Sequence, residues 1–543
     1  MDNIRLTQKI RETSKKVAAT VRKYGRLVIR KVAAQVGCSK TAAHRHIQAM
    51  EKRNLHPESW FWETEEGQAW LRLLTFAILY MFGLQRNVGA EHLSAFFKLV
   101  RVDTHVGVSP SALLTQLQTM EALLPEFQRM CEAQQSNKRH KAVLTGDETF
   151  FCESLILVLM DLGSGYLLLE EKADDRSFET WLQKAKPRLE QLGIEVKHAV
   201  TDRAKALIKL ALQGFGCASG ADLFHALRDV SKSPGLAFHR AIARAERKVQ
   251  ASIAKLEAME KRSASRAEID AQAQCVQKDD IYHYRMEKGY EDYRETLQAI
   301  SDTIHPFTLE DSTAQTSSEV EKRLSEKAQK LKETVWLHDI EDRDGVMDKF
   351  RNQCNALSSG IDAWWLWALE SLSPYGLEKD KADWLLLTLV PVLYWHRQME
   401  KTDNPGSRKK YKRAWEQAVI ALHSHPLTPV ITTEELKQWQ GWAEWMANQF
   451  HRSSSAVEGR NGCLAQMYHN GRGLTVTRLQ SLTVIHNFGI KRADGTTAAE
   501  RFFRTKFPDL FEWLVVQMGA LPLSRKSRER TVPNPLNSQA VPP

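Results

Sequence analysis

The chain has 543 residues and a formal net charge of +10, with 43% apolar and 26% charged residues. One hydrophobic core does not grow to that size, so several domains are expected. The seven cysteines (38, 131, 152, 217, 275, 354, 463) contain no C-x-x-C pair, which argues against a zinc site or a disulfide framework and suits a cytoplasmic protein.

The basic charge is concentrated at the start. Residues 1–53 carry fourteen Lys and Arg against three acids, so the rest of the chain is close to neutral. Such a block points to nucleic acid or another anionic surface. Within it, LVIRKVAAQVGCSKTAAHRHIQAMEKR has helix-turn-helix spacing: a helix over Leu27 to Val36, a turn at Gly37, and a second helix from Lys40 to Lys52 capped by Ser39. Ala33, Val36, Ala43 and Ile47 would pack inward. Lys40, Thr41, His44 and Arg45 would then face the major groove of double-stranded DNA, with Arg26, Arg30 and Lys31 against phosphates. A basic three-helix bundle with no base recognition has the same pattern.

Residues 55–130 read as a second helical domain, either a further DNA-binding unit or a packing bundle. Its most apolar run, AWLRLLTFAILYMFGL, is about 16 residues with Arg72 inside, short of the ~20 a membrane helix needs. It is expected to be a buried core helix, with no membrane partner.

From Lys141 to Arg228 the pattern changes to β-β-β-α-β-α. Apolar runs at Val143 to Leu144, Leu155 to Met160 and Tyr166 to Leu169 precede an amphipathic helix near Asp175 to Leu192 and a strand at Val196 to Thr201. Asp147 is expected at the end of the first strand and Asp202 where the fourth gives way to a helix. A fifth strand is expected over Cys217 to Leu223. Residues 231–450 read as an all-α region of long amphipathic helices, stepping through Phe238 to Leu256, Met286 to Ile300 and Val320 to Val335, then Trp-rich helices with a break at Pro391. Residues 451–520 carry SSSAVEGRNG with Glu458, and residues 521–543 form a basic, Pro-rich tail expected to be disordered.

Each acid taken singly suits a plainer role. Asp202 fits a helix cap, Ser455 and Glu458 fit an S-x-x-E capping box, and Asp147 with Glu148 fits a solvated turn. The glycines beside Glu458, Gly459 and Gly462, are costly in a helix and suggest close approach of backbone or DNA.

Together, the element order, Asp147, Asp202 in VTDRA and Glu458 resemble the RNase H-type catalytic core of DDE transposases. DLFHALRD (222–229), HRSSSAVEGRNGCLAQMYHNGRGL (451–474) and VIHNFGIKRADGTTAAERFF (484–503) are similar to signature blocks of bacterial insertion-sequence transposases with a long helical insertion. The resemblance implies an α/β protein: an RNase H-like mixed sheet core (141–230 and 451–520) interrupted by a large all-α insertion and preceded by an all-α helix-turn-helix region (1–54). It implies Mg²⁺ or Mn²⁺, two ions, held by Asp147, Asp202 and Glu458, which would cut DNA and join a 3′-OH to a target. It further implies assembly of a homodimer or larger complex on transposon ends and target DNA, with Asp222 and His225 near the site. Arg460, Asn461 and Arg472 would contact DNA. A DNA nuclease of the same fold, and a catalytically silent DNA-binding derivative, are the alternatives.

Overall fold

A computed structural model describes residues 2–24, 28–135, 138–151, 153–342, 345–468 and 473–524. The chain divides into two units: 1–131 with 467–490 and 506–543, and 132–466 with 491–505.

The first unit is helical. It begins with α1 (Asp2–Tyr24), α2 (Ile29–Val36) and α3 (Lys40–Arg53). Gly37 ends α2 in the left-handed region at φ 72°, where a side chain would be strained, and Ser39 caps α3 by accepting the Ala42 amide at 3.1 Å. Val17, Val32, Ala33 and Ala43 are buried together, with Val36 and Ile47 packed against them, as the spacing predicts. There follow α4 (Glu65–Ile78), running into a π-helical turn to Leu84, then α5 (Ala90–Leu99) and α6 (Pro110–Ala133). The span Glu65–Leu84 is long and apolar enough to cross a membrane by length and composition, and half of it is buried inside the fold. Leu71, Phe76 and Leu79 are fully buried. Residues 467–490 belong to this unit, whereas the sequence groups them with the sheet. Ser481 and Arg478 fix them there, bonding the Glu121 carbonyl and carboxylate.

The second unit holds the one sheet among the described residues. Its strands are β1 (His140–Phe151), β2 (Ser154–Asp161), β3 (Leu167–Ala173), β4 (Ile194–Thr201) and β5 (Ala218–Ala221), in the spatial order β3-β2-β1-β4-β5. The first three are antiparallel neighbours, while β4 lies parallel to both β1 and β5. Helix α7 (Phe178–Gln191) connects β3 to β4, and the short α8 (Lys205–Lys209) follows β4. β2 is buried along nearly its whole length, as its continuous apolar run requires when both faces are covered. Gly146 allows close cover: a Cβ there would meet Leu207 at 3.0 Å and Trp181 at 3.6 Å.

From β5 the chain enters α9 (Leu223–Lys261) and α10 (Arg266–Thr303), two packed helices of 39 and 38 residues, then α11 (Ser317–Leu337). Capping boxes start α10 (Ser265 with Glu268) and α11 (Thr316 with Glu319). Phe238, Tyr293, Ile300, Leu324 and Leu331 are fully buried between them, each worth about 1.5–3 kcal/mol of burial. The Trp-rich helices complete this core with Trp364, Trp367, Trp384 and Trp395, and a π-helical turn, Leu385–Leu389, precedes the Pro391 position. The protein is therefore α/β, with one small mixed sheet and large helical parts.

Candidate active site

β1 and β4 run side by side with Thr145 opposite Val200. Asp147 lies two residues further along β1, and Asp202 lies one residue past the end of β4, so both acids follow the last paired positions of these neighbouring strands. β1 does not end at Asp147. It continues to Phe151 because β2 supplies a partner throughout, Asp147 opposite Val158 and Phe151 opposite Ser154. Asp147 is half-buried. One of its oxygens accepts the Glu148 amide at 2.8 Å, and the other accepts the side-chain amide of Asn461 at 2.7 Å. Its carboxyl is pushed up to about 6, by burial first and then by the negative charges of Glu458, Asp202 and Glu148.

Asp202 is exposed, and it also serves the plainer role of a turn former. Its Oδ1 accepts the Ala204 amide at 2.9 Å across the turn into α8, where Arg203 has φ 72°. Glu148 is not the solvated residue a turn implies. Its side chain is 7% exposed, and its carboxyl is raised by burial and then by Asp202.

Glu458 lies on the helix Ser455–Tyr468. Its carboxylate reaches His225 Nε2 at 3.2 Å, so its contact is with a distant side chain, unlike a capping box. His225 Nδ1 in turn meets Asp222 Oδ2 at 3.1 Å. Asp222 and His225, expected near the site, are thus joined to it through Glu458.

Arg460 is not a DNA contact: it is buried, and its Nε and Nη2 each bond a Glu170 oxygen at 2.6 Å in a two-pronged ion pair. Asn461 is turned inward onto Asp147. Beyond their own helix, no described atom lies within 4 Å of where a Cβ on Gly459 or Gly462 would sit, so close approach of another described backbone does not explain them. Arg26 and Arg472 lie outside the described residues, as does nearly all of the tail. Lys40, Thr41, His44 and Arg45 are all exposed at the start of α3, and Arg30 and Lys31 are exposed on α2.

The donors are all carboxylate oxygens, a set that suits a hard divalent cation. Among the described residues, however, no three His, Cys, Asp or Glu side chains are grouped closely enough to hold a metal ion. Glu458 is held on His225 and Asp202 on its own turn. The donor chemistry fits, then, while the side chains are engaged with protein partners. Sequence reasoning missed Asn461 as a partner of Asp147 and Glu148 as a buried acid; Glu148 stands between Asp147 and Thr149, and nothing in that local pattern signals its burial.

The model of a family of unknown function, DUF6399, matches residues 385–530, a stretch that contains the whole Glu458 helix. No curated protein matches the chain.

Proposed function

We propose that this protein is a DDE transposase, cutting DNA at the ends of an insertion sequence and joining the freed 3′-OH to target DNA. The observation that carries the reading is positional: Asp202 follows the end of β4, the parallel neighbour of β1, and the Glu458 helix, 256 residues beyond Asp202, is bonded to Asp147 through Asn461. The strand order β3-β2-β1-β4-β5, antiparallel on one side and parallel on the other, supports an RNase H-like core. Exposed Lys40, Thr41, His44 and Arg45 on α3, with Arg30 and Lys31 beside them, support double-stranded DNA as the partner.

Asp147, Asp202 and Glu458 would hold two Mg²⁺ or Mn²⁺ ions. Bound there, the ions supply charge stabilisation at the attacking and leaving oxygens of phosphodiester exchange. The chain's own residues set the stage for this. Asn461 fixes the Asp147 carboxylate by its Oδ2 atom, His225 holds Glu458, and the buried Arg460–Glu170 pair anchors the glutamate helix to β3. Two ends have to be brought together, so the working species is a homodimer or larger assembly.

The test is an Mg²⁺-dependent joining assay with the protein, DNA carrying the element's own flanking ends, and a supercoiled target. Joined products that require Mg²⁺ are expected. Cleaved ends without joined product would make the protein a nuclease, and end binding that ignores Mg²⁺ would make it a silent DNA-binding derivative.

A further inference from the structure

The chain leaves the sheet at Asp222 and returns to it at Ser454, and these two points are bonded to each other across 232 residues. The Asp222 side chain is fully buried, and its two oxygens serve different helices. Oδ1 accepts the Phe224 amide at 2.6 Å and the His225 amide at 3.3 Å, capping α9. Oδ2 accepts the amide of Ser454 at 2.8 Å, together with its hydroxyl, at the residue just before the glutamate helix. The backbone closes the same joint, with the Leu223 amide donating to the Arg452 carbonyl at 2.9 Å.

An ordinary cap needs only the Oδ1 bonds. Here Oδ2 also meets His225 Nδ1, and the far side of that ring meets Glu458 Oε1. One buried carboxylate therefore fixes the start of the glutamate helix through Ser454 and the glutamate's own carboxylate through His225. Hydrogen bonds to an ionised group are about twice as strong as neutral ones, and a histidine locked by a carboxylate has a defined ring orientation.

We infer that Asp222 and His225 form a clasp at the base of the helical region that positions Glu458. Both are positioning residues, and the inference rests on Glu458 being a site carboxylate. Because α9 grows from the same residue, a displacement at the base of α9 is delivered to Glu458.

The experiment uses the full-length chain with Asp222→Asn, His225→Ala, His225→Gln and Glu458→Gln. Hydrogen exchange of the segment 453–462, without metal or DNA, is expected to quicken at least about tenfold in Asp222→Asn, with β2 unchanged. His225→Ala should keep its affinity for end DNA while losing about 10–100-fold in Mn²⁺ affinity, read by electron paramagnetic resonance, and in the rate constant of end cleavage. His225→Gln, whose amide can still donate to Glu458, should recover part of both. Wild-type exchange in Asp222→Asn, or wild-type Mn²⁺ affinity and cleavage in His225→Ala beside an inactive Glu458→Gln, overturns the clasp. If Glu458→Gln itself cuts like wild type, the proposed function has failed, and the clasp falls with it.

Discussion

At pH 8 in metal-free buffer, Asp147→Asn is expected to melt several degrees above the wild type, and in Mg²⁺ to lose DNA cleavage by at least about a thousandfold, or ~4 kcal/mol. Both effects have one cause. Burial and the charges of Glu458, Asp202 and Glu148 push the Asp147 carboxyl up to about 6 from its ordinary 3.8. The folded protein therefore holds this proton more tightly than the unfolded chain does. Stability from this group is complete below about pH 4 and is lost as pH rises through about 6. Above that window the ionised form costs about 2–3 kcal/mol. Asparagine removes the charge and can still accept the Asn461 amide. The gain in melting temperature should shrink toward zero at pH 4, which a thermal scan from pH 4 to 8 would follow. A variant melting at or below the wild type at pH 8 would mean that Asp147 is not held against its neighbours' charge. Stability given up at a functional residue is the usual sign of a site.

Arg460→Ala is expected to destabilise the protein by about 3–5 kcal/mol, because it leaves the Glu170 carboxylate buried without its partner. The two side chains are 4% and 0% exposed, so solvent cannot take the place of the lost guanidinium. Replacing both together, Arg460→Met with Glu170→Leu, should recover most of that loss, since removal of a whole buried pair is often close to neutral. Chemical denaturation of the single and double variants checks this. Should Arg460→Ala unfold like wild type and instead flatten the salt dependence of DNA binding, Arg460 would belong on a phosphate-contacting surface after all.

Much of the framework could be read from local pattern. Gly37 and Ser39 mark the turn and cap between α2 and α3, and the apolar spacing identifies the residues that pack there. The alternation of apolar runs and a helix shows the β-β-β-α-β order, and the 256-residue gap after Asp202 requires a folded region between the acids. What could not be read depends on partners far apart in the chain. Arg460 looks like a DNA contact because a lone arginine beside Asn461 and Gly462 has no visible partner. Its carboxylate lies 290 residues earlier in β3, at Glu170, just past the apolar run that ends at Leu169. Asp222 falls within the strand expected over Cys217 to Leu223, but β5 ends at Ala221 and Asp222 caps α9; its bond to Ser454 depends on a residue 232 positions downstream. β1 runs past Asp147 because β2 continues to pair with it, a preference set by the neighbouring strand and absent from the acid's own surroundings. Residues 467–490 separate from the sheet unit through Arg478 and Ser481, whose partners are Glu121 and Gly83.

The proposed function requires that three carboxylates, from β1, the end of β4 and a late helix, act as one site. Single-turnover cleavage of end DNA in Mg²⁺ tests it most directly, with wild type beside Asp202→Ala and Glu458→Ala at enzyme concentrations that saturate the DNA. Cleavage by wild type, with both variants bound to DNA but slower by about a thousandfold or more, is the predicted result. Full cleavage by either variant would contradict the claim, because that acid would then have no part in the site.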